Sequence, residues 1–142
     1  MYRHILIPTD GSELAEHGVA HGLALAKSLA AKVSVIFVVE PFSELTGRFL
    51  EAVATYAQLR REQAASALNR VANAAKEAGV SCETIQVEDV LPHEAIIATA
   101  EDKGCDLIVM SSHGRSGLSM LLIGSVTNKV LTQAKIPVLV CQ

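Results

Sequence analysis

A chain of 142 residues, half of them apolar, 19% charged and only 4% aromatic, can bury about two thirds of its unfolded surface as one domain without disulfides or metal. Its Ala/Val/Leu/Ile-rich make-up argues against disorder and for layered helices around a buried sheet. A formal charge of -3 gives no basic footprint for DNA or RNA, so nucleic acid is not an expected partner.

In chain order, the run HILIPT (4–9) predicts a first strand. Ser12 to Ala31 then has helical spacing, with Leu14, Gly18, His21/Gly22, Leu25 and Leu29 on one stripe. KVSVIFVV (32–39) predicts a second strand, and Glu40 to Glu51 fits loop, lid or an early helical turn. A long amphipathic helix is predicted from about Arg48 to Ala78, with Val53, Tyr56, Ala57, Leu68, Val71, Ala72 and Ala75 along its length and Gly79 as its terminator. SCETIQVE (81–88) predicts a third strand. Pro92 to Lys103 predicts a helix opened by proline and stopped by Gly104. DLIVMSS (106–112) predicts a fourth strand, Ser125 to Ala134 a last helix, and IPVLVC (136–141) a closing strand.

Strict alternation of strand and helix implies right-handed crossovers and a parallel sheet covered on both faces. The expected fold is a single-domain α/β three-layer sandwich with a five-stranded parallel sheet, for which we take the order 3-2-1-4-5. In such sheets a ligand sits beyond the C-terminal strand ends, where the strand order reverses. That rule singles out PTDGS after strand one and SSHGRSG after strand four.

The stretch MSSHGRSGLSMLLIGS, Met110 to Ser125, matches neither the P-loop pattern nor Gly-x-Gly-x-x-Gly. Gly114 and Gly117 permit a sharp turn and close backbone approach. Gly124-Ser125 opens the last helix, where unpaired N–H groups favour an anion. A plain connection with a Gly-Ser N-cap fits the same letters. Asp10 has two readings: a carboxylate accepting from ribose hydroxyls or an adenine amine, or touching a metal carried by phosphates; and an N-cap forming a capping box with Glu13. His113 and Arg115 are candidates for ligand contact, with solvated loop residues as the alternative. His17 and His21 have zinc-compatible spacing but no third ligand in sequence reach, so they are expected at the surface. No Ser/His/Asp order or paired catalytic carboxylates are visible.

Three scattered cysteines, Cys82, Cys105 and Cys141, fit thiols in a reducing compartment. The opening MYRHILIPTDGS has no signal-peptide h-region, and no run approaches the roughly 20 apolar residues of a membrane span. The expected address is the cytoplasm, without membrane insertion.

The segments HILIPTDGSELAEHGVAHGLALAKSL, DLIVMSSHGRSGLSMLLIGSVTNKVL and IPVLVC resemble the universal stress protein family, over essentially the whole of residues 1–142. Its ATP-binding branch carries Gly, two residues, Gly, nine residues, then Gly-Ser/Thr. Gly114 matches the second glycine and Gly124-Ser125 close the motif, while Ser111 stands where the first glycine is expected. If that position needs positive φ, Ser111 costs about 1 kcal/mol or more; if it ends strand four in β geometry, as VMSSHG suggests, it costs little.

The resemblance implies that Pro8, Thr9 and Asp10 line an adenosine pocket and that the Val38 backbone meets adenine. It implies Ser111, His113 and Gly114 along ribose and α-phosphate, with Met110 beside them. Arg115, Gly124, Ser125, Val126 and Thr127 would surround the β- and γ-phosphates. No catalytic residue and no protein metal site are implied; Mg2+ would arrive with the phosphates. The expected function is a cytoplasmic, ATP-binding regulator in stress response with slow or no hydrolysis. The expected partners are a second copy of the chain, paired through strand 136–141, and an unidentified regulatory protein. The competing reading is a dimeric stress protein that binds no nucleotide and works only through protein partners. A phosphoacceptor receiver domain would need an Asp ending strand three and a Lys ending strand five, and PVLVCQ offers no lysine.

Overall fold

The computed structural model describes residues 1–41, 50–113 and 123–142. Within them the β-branched runs form β1 (His4–Pro8), β2 (Lys32–Val39), β3 (Cys82–Glu88), β4 (Leu107–Ser111) and β5 (Val138–Cys141). Between the strands lie α1 (Glu13–Leu29), α2 (Leu50–Ala78), α3 (Pro92–Lys103) and α4 (Ser125–Gln133). All strand pairs are parallel, as alternation predicted, and run in the expected order β3-β2-β1-β4-β5. The expected helix start at Arg48 and most of the segment 40–51 lie outside the described residues; Glu40 and Pro41 are exposed.

Side chains alternate across a strand, so each strand feeds two cores. Ile5, Ile7, Val33, Val35, Phe37 and Val109 face α1 and α2. Leu6, Ile36, Ile108 and Met110 face α3 and α4, meeting Ile96, Ala100 and Val130. Burial on both faces explains why β4 reads LIVMS without a polar alternation.

The α1 stripe differs from the expected one by one position. Its buried residues are Ala15, Gly18, Val19, Gly22, Leu23 and Ala26, whereas Leu14, Leu25 and Leu29 are half-buried and His21 is exposed. The reason is close approach. A Cβ on Gly22 would lie 2.5 Å from Ile7 Cδ1, and one on Gly18 would lie 3.0 Å from the Ser111 amide nitrogen. The small side of α1 therefore takes the sheet, and its leucines flank the contact. His17 is also exposed, and among the described residues no group of three His, Cys, Asp or Glu can hold a metal.

The N-terminal end of the sheet is held by polar contacts. Asp106 accepts from the Arg3 amide at 2.9 Å and the His4 amide at 3.0 Å. Burial pushes this carboxyl up, but those amide donors outweigh it and leave it below its ordinary value. His4 is buried, with Nε2 2.7 Å from Ser34 Oγ. Burial first, then the Lys32 charge, hold the imidazole below its ordinary pKa, against the pull of the Lys103 backbone, Glu83 and Asp106.

Two outcomes are expected. Gly22→Val puts methyl groups where the fully buried Ile7 already sits, so it should destabilise by roughly 1–3 kcal/mol in urea unfolding; an unchanged midpoint would show that α1 can lift off the sheet without cost. Because the folded pKa of His4 is lowered, the unfolded chain takes up the proton first as pH falls below 6.5, and stability drops. His4→Gln should flatten the decline between about pH 7.5 and 5.5 that the native chain shows. Equal slopes in the two proteins would assign that decline elsewhere. Asp106 acts in a lower window, below its unfolded value of 3.8.

Candidate functional site

The two turns singled out by the sequence meet at the C-terminal ends of β1 and β4. On the β1 side, the Thr9 amide donates to the Ile36 carbonyl at 2.9 Å, the last rung toward β2. Gly11, at φ 79, then redirects the chain, a conformation that favours glycine. Thr9 Oγ1 accepts from the Gly11 amide at 3.2 Å, and Asp10 Oδ1 from the Ser12 amide at 2.9 Å. The N-cap of α1 is Ser12, whose Oγ accepts from the Ala15 amide at 3.2 Å. The capping-box reading of Asp10 with Glu13 is thus corrected: the positive-φ glycine sets Asp10 two residues before the cap, in the crevice wall instead of on the helix.

On the β4 side, Ser111 pairs with Cys141 as the last strand residue. Among the described residues Ala30 is the non-glycine residue with positive φ, so Ser111 keeps the extended geometry that accommodates a side chain. Ser111 Oγ donates to the His113 carbonyl at 2.7 Å, and the Ser111 carbonyl accepts from Thr127 Oγ1 at 3.0 Å. The Ser112 carbonyl accepts from the Gly124 amide at 2.7 Å, while its own amide donates to Cys141. Two hydrogen bonds therefore fix the start of α4 against the end of β4. Gly124 is the N-cap of α4 and, among the described residues, no side chain caps that end, so the helix presents amides to the crevice.

His113 is buried, with Nδ1 3.0 Å from Ser112 Oγ. Its Nε2 is buried with no partner among the described residues. Leaving such a group unpaired costs about 1–3 kcal/mol; His4 Nδ1, at the other end of the sheet, is likewise buried with no partner among the described residues.

Between these walls lies a cavity of about 270 Å³, near the lower end of the roughly 300–1,000 Å³ typical of ligand sites. Pro8, Thr9 and Asp10 line it from the β1 turn; Val38 from β2; Met110, Ser111 and His113 from β4; Gly124, Ser125, Val126 and Thr127 from α4. Gly114 and Arg115 lie outside the described residues. The sequence reading did not name Ala15, Ile36, Glu40, Arg60, Pro92 or Ile96, which also line the cavity. Pro92 was visible as a helix opener, but nothing local in the sequence places Arg60 of α2 over the end of β2.

The universal stress protein family model matches residues 1–142. Universal stress protein MJ0531 of Methanocaldococcus jannaschii is 38% identical over 142 residues, spanning 99% of this chain and 82% of that protein. The solved structure of MJ0577, from the same organism, aligns with a TM-score of 0.85 at 33% identity, over 99% of this chain and 95% of that one. A universal stress protein solved in complex with cAMP shares the fold, with a TM-score of 0.71 at 24% identity over 99% and 97% of the two chains. From a family match along all 142 residues, relatives of this identity and a β3-β2-β1-β4-β5 parallel sheet, the chain belongs to the universal stress protein family.

Proposed function

We propose that this chain is an ATP-binding universal stress protein acting as a nucleotide-responsive regulator in the cytoplasm, with slow or no hydrolysis. The observation that carries this reading is the joining of a helix N-terminus with no side-chain cap among the described residues, the buried His113 ring and an apolar slot in one cavity at the strand-order reversal.

Ile36, Val38, Ile96, Met110 and Val126 supply apolar surface for a base. The Ile36 carbonyl is taken by Thr9. By the two-residue pleat the Val38 carbonyl faces the same side, past the end of β1, where it can accept from an exocyclic amine. Asp10 suits ribose hydroxyls, and the first-turn amides of α4 suit phosphate oxygens. Bound ATP would supply anionic charge and carry any Mg2+. The carboxylates lining the cavity, Asp10 and Glu40, come from different strand ends, which favours binding over turnover. Free thiols at Cys82, Cys105 and Cys141 suit a reducing compartment. Among the described residues no helix is long and apolar enough to cross a membrane.

The same reading includes a homodimer through β5. This strand pairs with β4 on one side only, Leu139 is 37% exposed, and Val138, Val140 and Cys141 are half-buried with no charge among them. An unprotected apolar edge favours pairing with its own copy about a two-fold axis. An unidentified regulatory protein would read the nucleotide state of the dimer.

Gly124 sits at φ −61 and ψ 155, which valine adopts without strain, so Gly124→Val should fold and lose ATP affinity by about a hundredfold or more, ~2.7 kcal/mol. Calorimetry giving unchanged affinity would remove the nucleotide assignment and leave the partner-only reading. Val138→Lys with Val140→Lys should yield a soluble monomer by light scattering, and a native chain already monomeric at tens of micromolar would refute the dimer.

A further inference from the structure

The described half of α2 nearest the cavity raises a question that the family motif does not touch. The inner stripe of α2 runs through Ala64, Ala67, Leu68, Val71 and Ala75, all buried. One turn before Ala64, where the helix passes the end of the sheet, the stripe continues with Arg60, a cation at an inward-facing position. Arg60 lines the cavity, as does Glu40. Its guanidinium carbon lies 5.7 Å from the centroid of the Phe37 ring, and Nη1 donates to Gln63 Oε1 at 2.6 Å. A helical neighbour and a buried aromatic ring therefore set the guanidinium plane in advance. The adjacent pair Arg61–Glu88, at 2.7 Å, ties this part of α2 to the end of β3.

Arg60 comes in over β2, whereas the α4 amides that suit phosphate rise from β4, with β1 between them. Strands are spaced by about 4.8 Å, so the two ends of the cavity are roughly 10 Å apart. The Arg60 end is the one with Val38, where the base is placed in the proposed function.

We infer that Arg60 is a base-binding residue, its planar guanidinium, held by Phe37 and Gln63, packing against the adenine ring instead of pairing with a phosphate. This rests on the nucleotide reading of the same cavity. A guanidinium is planar and weakly hydrated, so it stacks on aromatic rings in a way that an ammonium does not. The contact adds affinity for the nucleoside whatever its phosphate content. It also gives α2 a part in sensing occupancy, because the base would bridge α2 to the β2 end of the sheet.

The test compares adenosine and ATP binding by calorimetry for the native chain, Arg60→Ala and Arg60→Lys, with thermal melting confirming that each variant is folded. Arg60→Ala should weaken adenosine and ATP by the same factor, about three- to tenfold, a range expected of a cation–ring contact. Arg60→Lys, which keeps the charge, should not restore it. Loss confined to ATP that fades with added salt would make Arg60 a phosphate partner and overturn the inference, as would unchanged affinity for both ligands or full rescue by lysine. If the native chain binds neither adenosine nor ATP, the nucleotide reading itself falls and takes this inference with it.

Discussion

The constraint on which the structure depends is the short parallel contact between β1 and β4. Their register covers Ile5 against Leu107 and Leu6 against Ile108; past it the chain leaves β1 toward α1 on one face and β4 toward α4 on the other. Right-handed crossovers force this divergence, since moving outward from the middle of the sheet in opposite directions puts the helices on opposite faces. A crevice must open at that point. Its walls are the turn Thr9–Ser12 and the start of α4.

What keeps the crevice shaped is backbone geometry supported by short polar contacts. α1 can sit close enough to carry its turn against the sheet because Gly18 and Gly22 leave room for the Ser111 backbone and the Ile7 side chain. The same Ser111 is the anchor of α4, through its carbonyl to Thr127. One strand end thus registers both helices that border the cavity, and its buried hydroxyl is satisfied locally by the His113 carbonyl. The ion pairs Arg61–Glu88, Arg70–Glu16 and Lys103–Glu83 are all solvent-exposed, and screening by water leaves little net stabilisation in such pairs. They orient surfaces that the apolar cores already hold together.

The two ends of the sheet divide the polar chemistry. At the N-terminal end, His4–Ser34 and Asp106 close off the strands by hydrogen bonds within the fold. Among the described residues, one buried ring nitrogen without a partner remains at each end, His4 Nδ1 and His113 Nε2, and the C-terminal end adds the α4 amides, which no side chain caps. Polar groups satisfied internally serve stability, and polar groups left facing a cavity are available to a ligand.

Element types, their order and most boundaries were legible in the sequence because local signals carry them: β-branched runs buried on both faces, Pro92 opening α3, and Gly79 and Gly104 ending α2 and α3 in the left-handed conformation. Alternation and crossover handedness implied a parallel sheet covered on both faces, and the expected order 3-2-1-4-5 set PTDGS beside SSHGRSG. What tertiary structure decided were the contacts between elements distant in the chain. The sequence placed Gly18 and Gly22 on the α1 stripe together with Leu14, Leu25 and Leu29, and only the packed sheet shows that the glycines meet it with Ala15, Val19, Leu23 and Ala26 while those leucines are half-buried. Asp10 looked like a cap by spacing alone, and the positive φ of Gly11 moved that role to Ser12. Arg60 carries no local signal in the sequence; its place over Phe37 and on the cavity wall depends on how α2 crosses the end of the sheet. Spacing along the chain reports periodicity within one element, whereas which side chain meets another across some twenty to fifty residues is set by close packing of whole layers.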